Sequence, residues 1–514
     1  MDEARKAAQP TLPSPAAGLA RAVPSRPAAE TPVVPGFYPD PTICRVGSDY
    51  YLAHSSFEYF PAVPVFHSAN LVEWTLVGHV LTRRSQFLRG GGRASSGIYA
   101  GTLRHRADRF WYVTTNVEDM AGGQLIVWAP AIAGPWSDPV RVRGSVGIDP
   151  DLCWDDDGTC YLTWKAMDFN EGEAGILQVP VDLETGELLS PAYPVWQGTG
   201  LAAPEAPHLY SIDGTWYLLL AEGGTERGHA VTVARGPHPS GPFEACPQNP
   251  ILTHRSTQLP VQNVGHADLV QTQEGGWAMV YLGVRARGST PGFHVLGRET
   301  FLAGVDWADG WPLVDEQRYQ VLPSDTAFYE DFATAGFHPR WVVPGGEPAS
   351  VARRAEGGGV AMEPSGLLAT RVRDLEWTAA ARISGEGRLE LRIDDRHWYG
   401  LVLRGSTVDA VARIGNVAAV LGSRAAAGEV TELVITCTRP GELPVPRGHG
   451  GPDEIILAVE ENGATHELAR LDGRYLSTEV AGGFTGRMLA VGAGNLGARV
   501  HCVSYRPKPT SLAT

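Results

Sequence analysis

The sequence contains no long apolar run, and this absence argues against a membrane protein. A membrane-spanning helix needs about 20 predominantly apolar residues, and no such stretch occurs. The N-terminus also lacks the apolar region that a secretory signal peptide requires. We therefore expect a cytoplasmic location and no membrane partner.

An excess of basic charge is missing as well. The formal net charge is −15, whereas nucleic acid or an anionic membrane surface would require a basic patch. The six cysteines show no C-x-x-C spacing, which argues against a zinc site. We expect them to be buried free thiols, with disulfides as the alternative. They are Cys44, Cys153, Cys160, Cys246, Cys437 and Cys502.

Helical periodicity is nearly absent, and a strand-like unit recurs in its place. In each copy, a turn with Gly or Asp precedes an aromatic-rich strand, and successive copies begin 61, 50, 56 and 61 residues apart. That spacing accommodates about four short strands, which is one propeller blade. Five copies predict a five-bladed β-propeller; a β-sandwich with similar hairpins is the alternative. The copies span residues 47–54, 108–115, 158–164, 214–220 and 275–281.

The 514 residues divide by composition into three parts. Residues 1–31 are rich in Ala, Pro, Arg and Ser, and we expect a disordered leader. Residues 32–325 carry the repeats. From residue 326 to 508, alternation with period two and frequent Gly turns predict an antiparallel β-sandwich of the concanavalin-like kind. The predicted fold class is therefore all-β, a five-bladed β-propeller followed by a C-terminal β-sandwich.

Three acidic residues lie in apolar, proline-rich surroundings, where a buried carboxylate is costly without a reason. Asp40 lies between two prolines, Asp149 directly precedes a proline, and Glu205 follows one. Each precedes a repeated strand by a similar distance, so we expect the innermost strands of blades one, three and four to aim them at the propeller axis. Taken singly, each is equally well explained as a turn or cap. Asp151 and residues 155–157 are interpreted as turn residues.

Converging carboxylates suit glycoside hydrolysis, in which one group protonates the leaving oxygen and another activates water. Further candidates come from small-residue or aromatic contexts. His229 and His266 either line a cavity or are core histidines; Arg298 either binds substrate or forms a surface ion pair. Phe57 and Tyr99 either offer flat faces to a sugar or belong to the core.

Several of these motifs, in this order, resemble glycoside hydrolase family 43, and specifically its two-domain branch of β-xylosidases and α-L-arabinofuranosidases. The resemblance covers roughly residues 32–505. The motifs are Gly36–Arg45, Ser55–Pro61, Pro64–Ser68, Gly147–Leu152, Pro204–Tyr210, Ala221–Thr225, Gly297–Phe301 and Gly482–Gly486.

The resemblance implies an inverting enzyme. It makes Asp40 the general base, Glu205 the general acid and Asp149 the residue that raises the acid's pKa and orients it. It places Arg298 and His266 in the pocket, and it makes Phe57 and Tyr99 aromatic walls. Because the sandwich closes the pocket in this branch, Phe484 becomes a further wall residue. His229, from its small-residue context, is another candidate for substrate binding.

Two departures from the family pattern concern substrate preference. Ala206 replaces a common Gly after the acid, and Gly101 replaces a Pro that is common after the aromatic. Tyr99, in place of a frequent Trp, also changes the pocket wall. We expect an exo-acting hydrolase that releases terminal β-D-xylose, α-L-arabinofuranose or both from short oligosaccharides of hemicellulose. The alternatives are a predominant α-L-arabinofuranosidase, a catalytically silent sugar-binding propeller and a protein scaffold. No cofactor is required by this chemistry; a structural Ca²⁺ is suggested only by relatives that hold one near the position of His266. The sequence does not address oligomeric state.

Overall fold

The computed structural model describes residues 29–87, 91–168, 172–440 and 450–508. Almost all of the predicted leader and residues 441–449, inside a Pro- and Gly-rich stretch, lie outside these ranges. Helix in the described residues is confined to four segments of four to six residues. These are the 3₁₀ helices Val117–Gly122 and Gly473–Leu476, with α1 (Pro348–Val351) and α2 (Thr478–Ala481).

The first part of the chain forms five consecutive four-stranded antiparallel sheets, the blades of a propeller. Each blade uses strands in chain order, apart from β3, which leaves the first blade. Blade one ends at β5, blade two at β9, blade three at β13, blade four at β17 and blade five at β21. The strands are β1 (Thr42–Val46), β2 (Asp49–Ala53), β3 (Tyr59–Phe60), β4 (Ala62–Ser68), β5 (Thr75–Leu81), β6 (Ile98–Arg106), β7 (Arg109–Asn116), β8 (Gln124–Ala129), β9 (Val140–Val142), β10 (Gly147–Trp154), β11 (Cys160–Asp168), β12 (Gly172–Pro180), β13 (Tyr193–Trp196), β14 (Glu205–Ile212), β15 (Thr215–Glu222), β16 (Ala230–Gly236), β17 (Glu244–Ala245), β18 (Val261–Gln271), β19 (Trp277–Arg285), β20 (Glu299–Ala308) and β21 (Trp311–Asp315).

The innermost strands β1, β6, β10, β14 and β18 contact one another in a ring around the axis. The five aromatic repeats of the sequence form the second strand of each blade, namely β2, β7, β11, β15 and β19. Their large side chains fill the space between neighbouring sheets, for example around Tyr112, Trp164 and Tyr281. The prediction of five blades is confirmed.

The last blade ends at Asp315, and the strands of the second domain begin at Phe328, so the predicted boundary lies between them. Two long strands, β27 and β34, of 16 and 20 residues, connect its sheets. Alternate side chains in the first half of β27 are buried, as the period-two pattern predicts. The strands are β22 (Phe328–Glu330), β23 (Val343–Pro344), β24 (Ala352–Arg354), β25 (Val360–Met362), β26 (Leu367–Arg371), β27 (Trp377–Arg392), β28 (His397–Arg404), β29 (Thr407–Ile414), β30 (Val417–Ala425), β31 (Thr431–Thr438), β32 (Glu454–Glu461), β33 (Ala464–Asp472) and β34 (Met488–Pro507). The structure confirms the predicted all-β propeller followed by a sandwich.

The two domains share a buried apolar cluster, which fixes one against the other. Phe37 and Phe57 of the propeller pack there with Leu367, Met488 and Ala490 of the sandwich. Strand β3 also pairs with β23 across the seam. Phe37 of this cluster precedes Asp40 by three residues, so the packing at the seam helps to position the candidate site.

Two further expectations concern the chain as a whole. All six cysteines are free and buried, as predicted. Among the described residues, no helix is long and apolar enough to span a membrane.

Candidate active site

Two of the three carboxylates lie on the innermost strands of blades three and four, and the third directly precedes the innermost strand of blade one. Asp40 comes two residues before β1, Asp149 lies in β10, and Glu205 begins β14. The ladders of β10 and β14 shift register directly after Ile148 and Glu205, and β18 shifts around His266. Such bulges re-aim side chains, and here they occur at the same end of each inner strand.

The backbone is strained where these side chains enter the site. Asp40, Asp149, Ala206 and His266 have φ of 54°, 56°, 50° and 47°. This left-handed conformation costs a non-glycine residue about 1–3 kcal/mol. These four residues lie on, or directly before, four different inner strands. The surrounding fold therefore imposes this backbone conformation where the side chains enter the site.

One cavity of about 670 Å³ collects the three carboxylates and most of the other candidates. Both domains contribute to its wall, because Phe484 belongs to the sandwich. The predicted residues that line it are Asp40, Phe57, Tyr99, Asp149, Glu205, His266, Arg298 and Phe484.

Asp40 is held as a carboxylate. Burial favours its neutral form, but Arg298, His266 and the Ser55 hydroxyl together outweigh burial and lower the pKa of Asp40 below its usual value. Arg298 Nη1 donates to Oδ1 at 2.8 Å, and Ser55 Oγ donates to Oδ2 at 2.6 Å. Nδ1 of His266 lies 3.6 Å from Oδ1. Asp40 is thus an ionised group with a fixed orientation.

The pKa of Asp149 is shifted in the opposite direction from that of Asp40. Burial, followed by the charges of Glu205 and Asp40, raises the pKa of Asp149 well above its usual value, against the opposing charge of Lys165. Two close carboxylates resist simultaneous ionisation, so this side of the cavity retains a proton. Oδ2 of Asp149 accepts the backbone N–H of Ala206 at 3.2 Å, directly after Glu205. Asp149 therefore fixes the backbone that carries Glu205.

Three aromatic rings form a wall of the cavity. Phe57 stacks on Phe484 with centroids 5.8 Å apart, and Tyr99 meets both rings edge-on at 5.0 and 6.0 Å. The guanidinium of Arg298 lies 5.7 Å from the centroids of Phe57 and Phe484. Flat apolar faces beside a charged donor suit a sugar ring, which has both C–H faces and hydroxyls.

The two histidine candidates occupy different layers. His266 lines the cavity, and burial lowers its pKa to about 4 despite the charge of Asp40. His229 does not line it. His229 lies behind the inner strand, where its Nδ1 is 3.0 Å from the carbonyl oxygen of Asn263. A Cβ on Gly265 would lie 2.3 Å from the His229 ring, so this glycine permits the close packing. We therefore place His229 in a supporting layer.

Comparison with known proteins decides the family. The model of the family described as Glycosyl hydrolases family 43 matches residues 29–312, which is more than half of the 514 residues. The chain belongs to glycosyl hydrolase family 43. The matched region contains all three carboxylates and the propeller up to the start of its last strand, Trp311–Asp315.

Individual family 43 proteins are similar to this chain beyond the region that the family model matches. A non-reducing end alpha-L-arabinofuranosidase from Bacteroides ovatus is 33% identical over 91% of both chains. A xylosidase/arabinosidase from Butyrivibrio fibrisolvens is 46% identical over 56% of both chains. A solved xylan beta-1,4-xylosidase from Bacillus halodurans is 28% identical, with a TM-score of 0.83 over 93% of this chain and 100% of its own. The matches to the Butyrivibrio protein and to a Vibrio xylan 1,3-beta-xylosidase span 56% and 58% of those relatives' lengths.

Sequence reasoning missed several residues of the family 43 cavity. Lys165 is buried with its Nζ 3.1 Å from Oε2 of Glu205. A lysine flanked by Trp164 and Ala166 inside strand β11 is a signal that could have revealed it. Thr225 accepts a hydrogen bond from Arg298 Nη1 at 3.1 Å. Arg93, Val117, Met120 and Met167 also line the cavity, and no local sequence pattern marks them.

A second polar cluster lies on the inner strands, and it corrects the interpretation of Asp151. Asp151 is completely buried and accepts from Arg104 Nη2 at 2.8 Å and from the N–H of Leu209 at 3.0 Å. Arg104 Nη1 also donates to Asp268 Oδ2 at 3.0 Å. The sequence did not reveal this role, because an acid directly after a proline resembles a turn residue. Asp155, by contrast, does act as a turn residue and accepts the N–H of Thr159.

The residues around the axis do not fit the Ca²⁺ suggested by relatives. Calcium requires six to eight oxygen ligands. Here the guanidinium of Arg104 already bridges the two axial carboxylates, and it lies 3.1 Å from Nδ1 of His208. Nδ1 of His266 faces Asp40. Within the described ranges, no group of three or more His, Cys, Asp and Glu residues is placed to hold a metal.

Proposed function

We propose that this family 43 chain is an exo-acting glycosidase that releases terminal β-D-xylose, α-L-arabinofuranose or both from short oligosaccharides of hemicellulose. One observation carries the proposal: Asp40, whose pKa is lowered, Asp149, whose pKa is raised, and Glu205 line the same cavity. The printed names of the relatives, which include xylosidases and arabinofuranosidases, support the two sugars.

The proposed reaction is a single displacement with inversion. Asp40, held ionised by Arg298, removes a proton from water as that water attacks the anomeric carbon. Glu205 donates a proton to the departing oxygen, and Asp149 holds the Glu205 backbone through the N–H of Ala206. This mechanism requires the carboxyl groups of Asp40 and Glu205 to lie about 6.5–9.5 Å apart, which leaves room for the water.

Exo action follows from the shape of the wall. Phe484 reaches from the sandwich and stacks on Phe57, so one side of the cavity is closed beside Asp40 and Arg298. A terminal sugar fits such a pocket, whereas the middle of a polymer would have to pass through Phe484.

Initial rates on p-nitrophenyl β-D-xylopyranoside and p-nitrophenyl α-L-arabinofuranoside test the proposal. We expect wild-type protein to cleave at least one of them and Glu205→Ala to lose most of that activity while remaining folded. The ratio of the two rates assigns the preferred sugar. Wild-type protein that binds xylose but cleaves neither substrate would instead support a catalytically silent sugar-binding propeller.

Inversion has a direct measurement. Proton NMR recorded in the first minutes of p-nitrophenyl β-D-xylopyranoside hydrolysis should show α-xylose first, before mutarotation equilibrates the anomers. Initial formation of β-xylose would show a double displacement and would exclude Asp40 as a base acting through water.

We also propose that the enzyme needs no calcium, since Arg104 supplies the positive charge between the axial carboxylates. Dialysis against EDTA should leave kcat, KM and the melting temperature unchanged. A loss that added Ca²⁺ restores would contradict this.

A further inference from the structure

A buried glutamate that the proposed mechanism does not use lies beneath the aromatic wall. Glu58 directly follows Phe57, and its side chain is buried at the seam between the domains. Its Oε2 accepts the backbone N–H of Ser95 at 2.9 Å. Its own carbonyl oxygen accepts the N–H of Gly345, in the second domain, at 2.8 Å. Glu58 thus connects the loop that contains Ser95 with both domains.

Ser95 passes this connection on to two of the three wall residues. Its Oγ accepts the backbone N–H of Phe484 at 2.9 Å, and its carbonyl oxygen accepts the hydroxyl hydrogen of Tyr99 at 2.9 Å. A Cβ on Gly483 would lie 2.3 Å from Ser95 Oγ, so the Phe484 loop approaches Ser95 as closely as only glycine permits. The position of Ser95 therefore sets the positions of both rings.

We propose that Glu58 is a positioning residue for sugar binding, which acts through Ser95 on Tyr99 and Phe484. The inference rests on the proposed function only in taking the cavity as the sugar site. None of the Glu58 contacts involves Asp40, Asp149 or Glu205, so Glu58 controls substrate affinity and leaves the chemical step alone.

The electrostatic surroundings of Glu58 make this control depend on pH. Burial raises the pKa of Glu58 to about 8, and the negative charge of Asp394 acts in the same direction. The N–H groups of Glu58 and Ser95 and the charge of Arg392 offset this rise only in part. Arg392 is already paired with Glu390 at 2.9 Å, and Asp394 with His397 at 3.0 Å. Glu58 is therefore largely neutral near pH 6.5, and above pH 8 it becomes a buried anion. Besides Arg392 and Asp394, the charged and titratable groups that interact with it are Arg371, Tyr59 and Tyr99.

The sign of the effect follows from this shift. Because its pKa is raised on folding, Glu58 binds more protons in the folded state than in the unfolded state at pH values between its ordinary pKa of 4.5 and about 8. The contribution of Glu58 to stability therefore declines as the pH rises through this range. Once Glu58 ionises, a buried charge favours water entry and displacement of the Ser95 loop. KM should therefore rise between pH 7 and pH 9.

Two variants separate the parts of this inference. Glu58→Gln keeps an oxygen that accepts from Ser95 but does not ionise, so its KM at pH 6.5 should stay within about twofold of wild type. Its KM should then stay flat up to pH 9 where that of wild type rises. Ser95→Ala removes only the bond to Phe484 and should raise KM roughly 3–10-fold with kcat within about twofold, the factor expected for one hydrogen bond.

Glu376→Gln is the matched control, because Glu376 is also a carboxylate at the seam. It pairs with Arg439 and lies near Arg287, in a crevice that shares no residue with the substrate cavity. Its KM should follow wild type at every pH. All variants are assayed on whichever p-nitrophenyl substrate wild type cleaves faster. The wild-type rate tests the proposed function, and the ratio of variant KM to wild-type KM tests this inference. A KM profile of Glu58→Gln that overlays wild type, or an unchanged KM in Ser95→Ala, would overturn it.

Discussion

Glu205→Gln will lose roughly 10²–10⁴-fold in kcat/KM on xylobiose, but far less on a xyloside whose leaving group is 2,4-dinitrophenolate. The reason is that a strongly acidic leaving group departs without a proton, so the missing acid no longer limits the rate. Asp40→Asn should lose a comparable factor on both substrates, because water must be activated in either case. The measurement is kcat/KM for each variant on each substrate.

The contrast between substrates identifies the roles better than either loss alone. Equal losses of Glu205→Gln on both substrates would remove Glu205 from the acid role, and rescue of Asp40→Asn by the activated substrate would remove Asp40 from the base role. Glu184→Gln is the control, since Glu184 is exposed and pairs only with the surface residue Arg109. Its rates should equal those of wild type.

Arg104→Met should destabilise the propeller by about 3–5 kcal/mol, the usual cost of leaving a buried charge without its partner. Asp151 and Asp268 are fully buried, and both depend on this guanidinium. Burial is unfavourable for the charged form of Asp268, yet Arg104, together with His208, the Tyr210 hydroxyl and the N–H of Ile43, outweighs burial and lowers the pKa of Asp268 to about 2. The melting temperature should therefore fall by roughly 6–10 °C.

The pH dependence of this loss supplies a second readout. Asp268 is ionised in wild type above pH 2, so the contribution of the ion pair is present at neutral pH and is lost as pH falls toward 2. The deficit of Arg104→Met should therefore shrink in acid, where Asp268 is protonated in both proteins. Arg353→Met removes an exposed arginine paired with Glu363 and should cost less than about 1 kcal/mol. A similar change for both variants would show that the axial cluster adds little stability.

The number of blades was predictable because the second strand of each blade is apolar and aromatic. These strands recur along the sequence at a nearly regular spacing. The carboxylates were predictable for a related reason: a proline beside an acid in an apolar context restricts where the side chain points. Asp40, Asp149 and Glu205 accordingly share one cavity.

The rest depended on contacts between residues far apart in the chain. Lys165 approaches Glu205 from a neighbouring blade, and Arg104 meets Asp268 across 164 positions. Asp151 looked like a turn residue because nothing within a few positions shows that its strand faces the axis. His229 seemed able to line a cavity, but the chain between it and Asn263 folds so that the ring packs behind Gly265. Local pattern identifies a side chain that needs a partner, whereas the topology determines which partner it meets.

The apolar cluster at the seam has a practical consequence for anyone who wants a smaller catalyst. Phe37 and Phe57, next to the base and in the sugar wall, are covered by Leu367, Met488 and Ala490. A chain cut near residue 325 would expose these rings to water and would also lose Phe484. Redesign of this enzyme has to keep both halves, and the loop that carries Phe484 is the place to vary substrate choice while the acid-bearing blades stay intact.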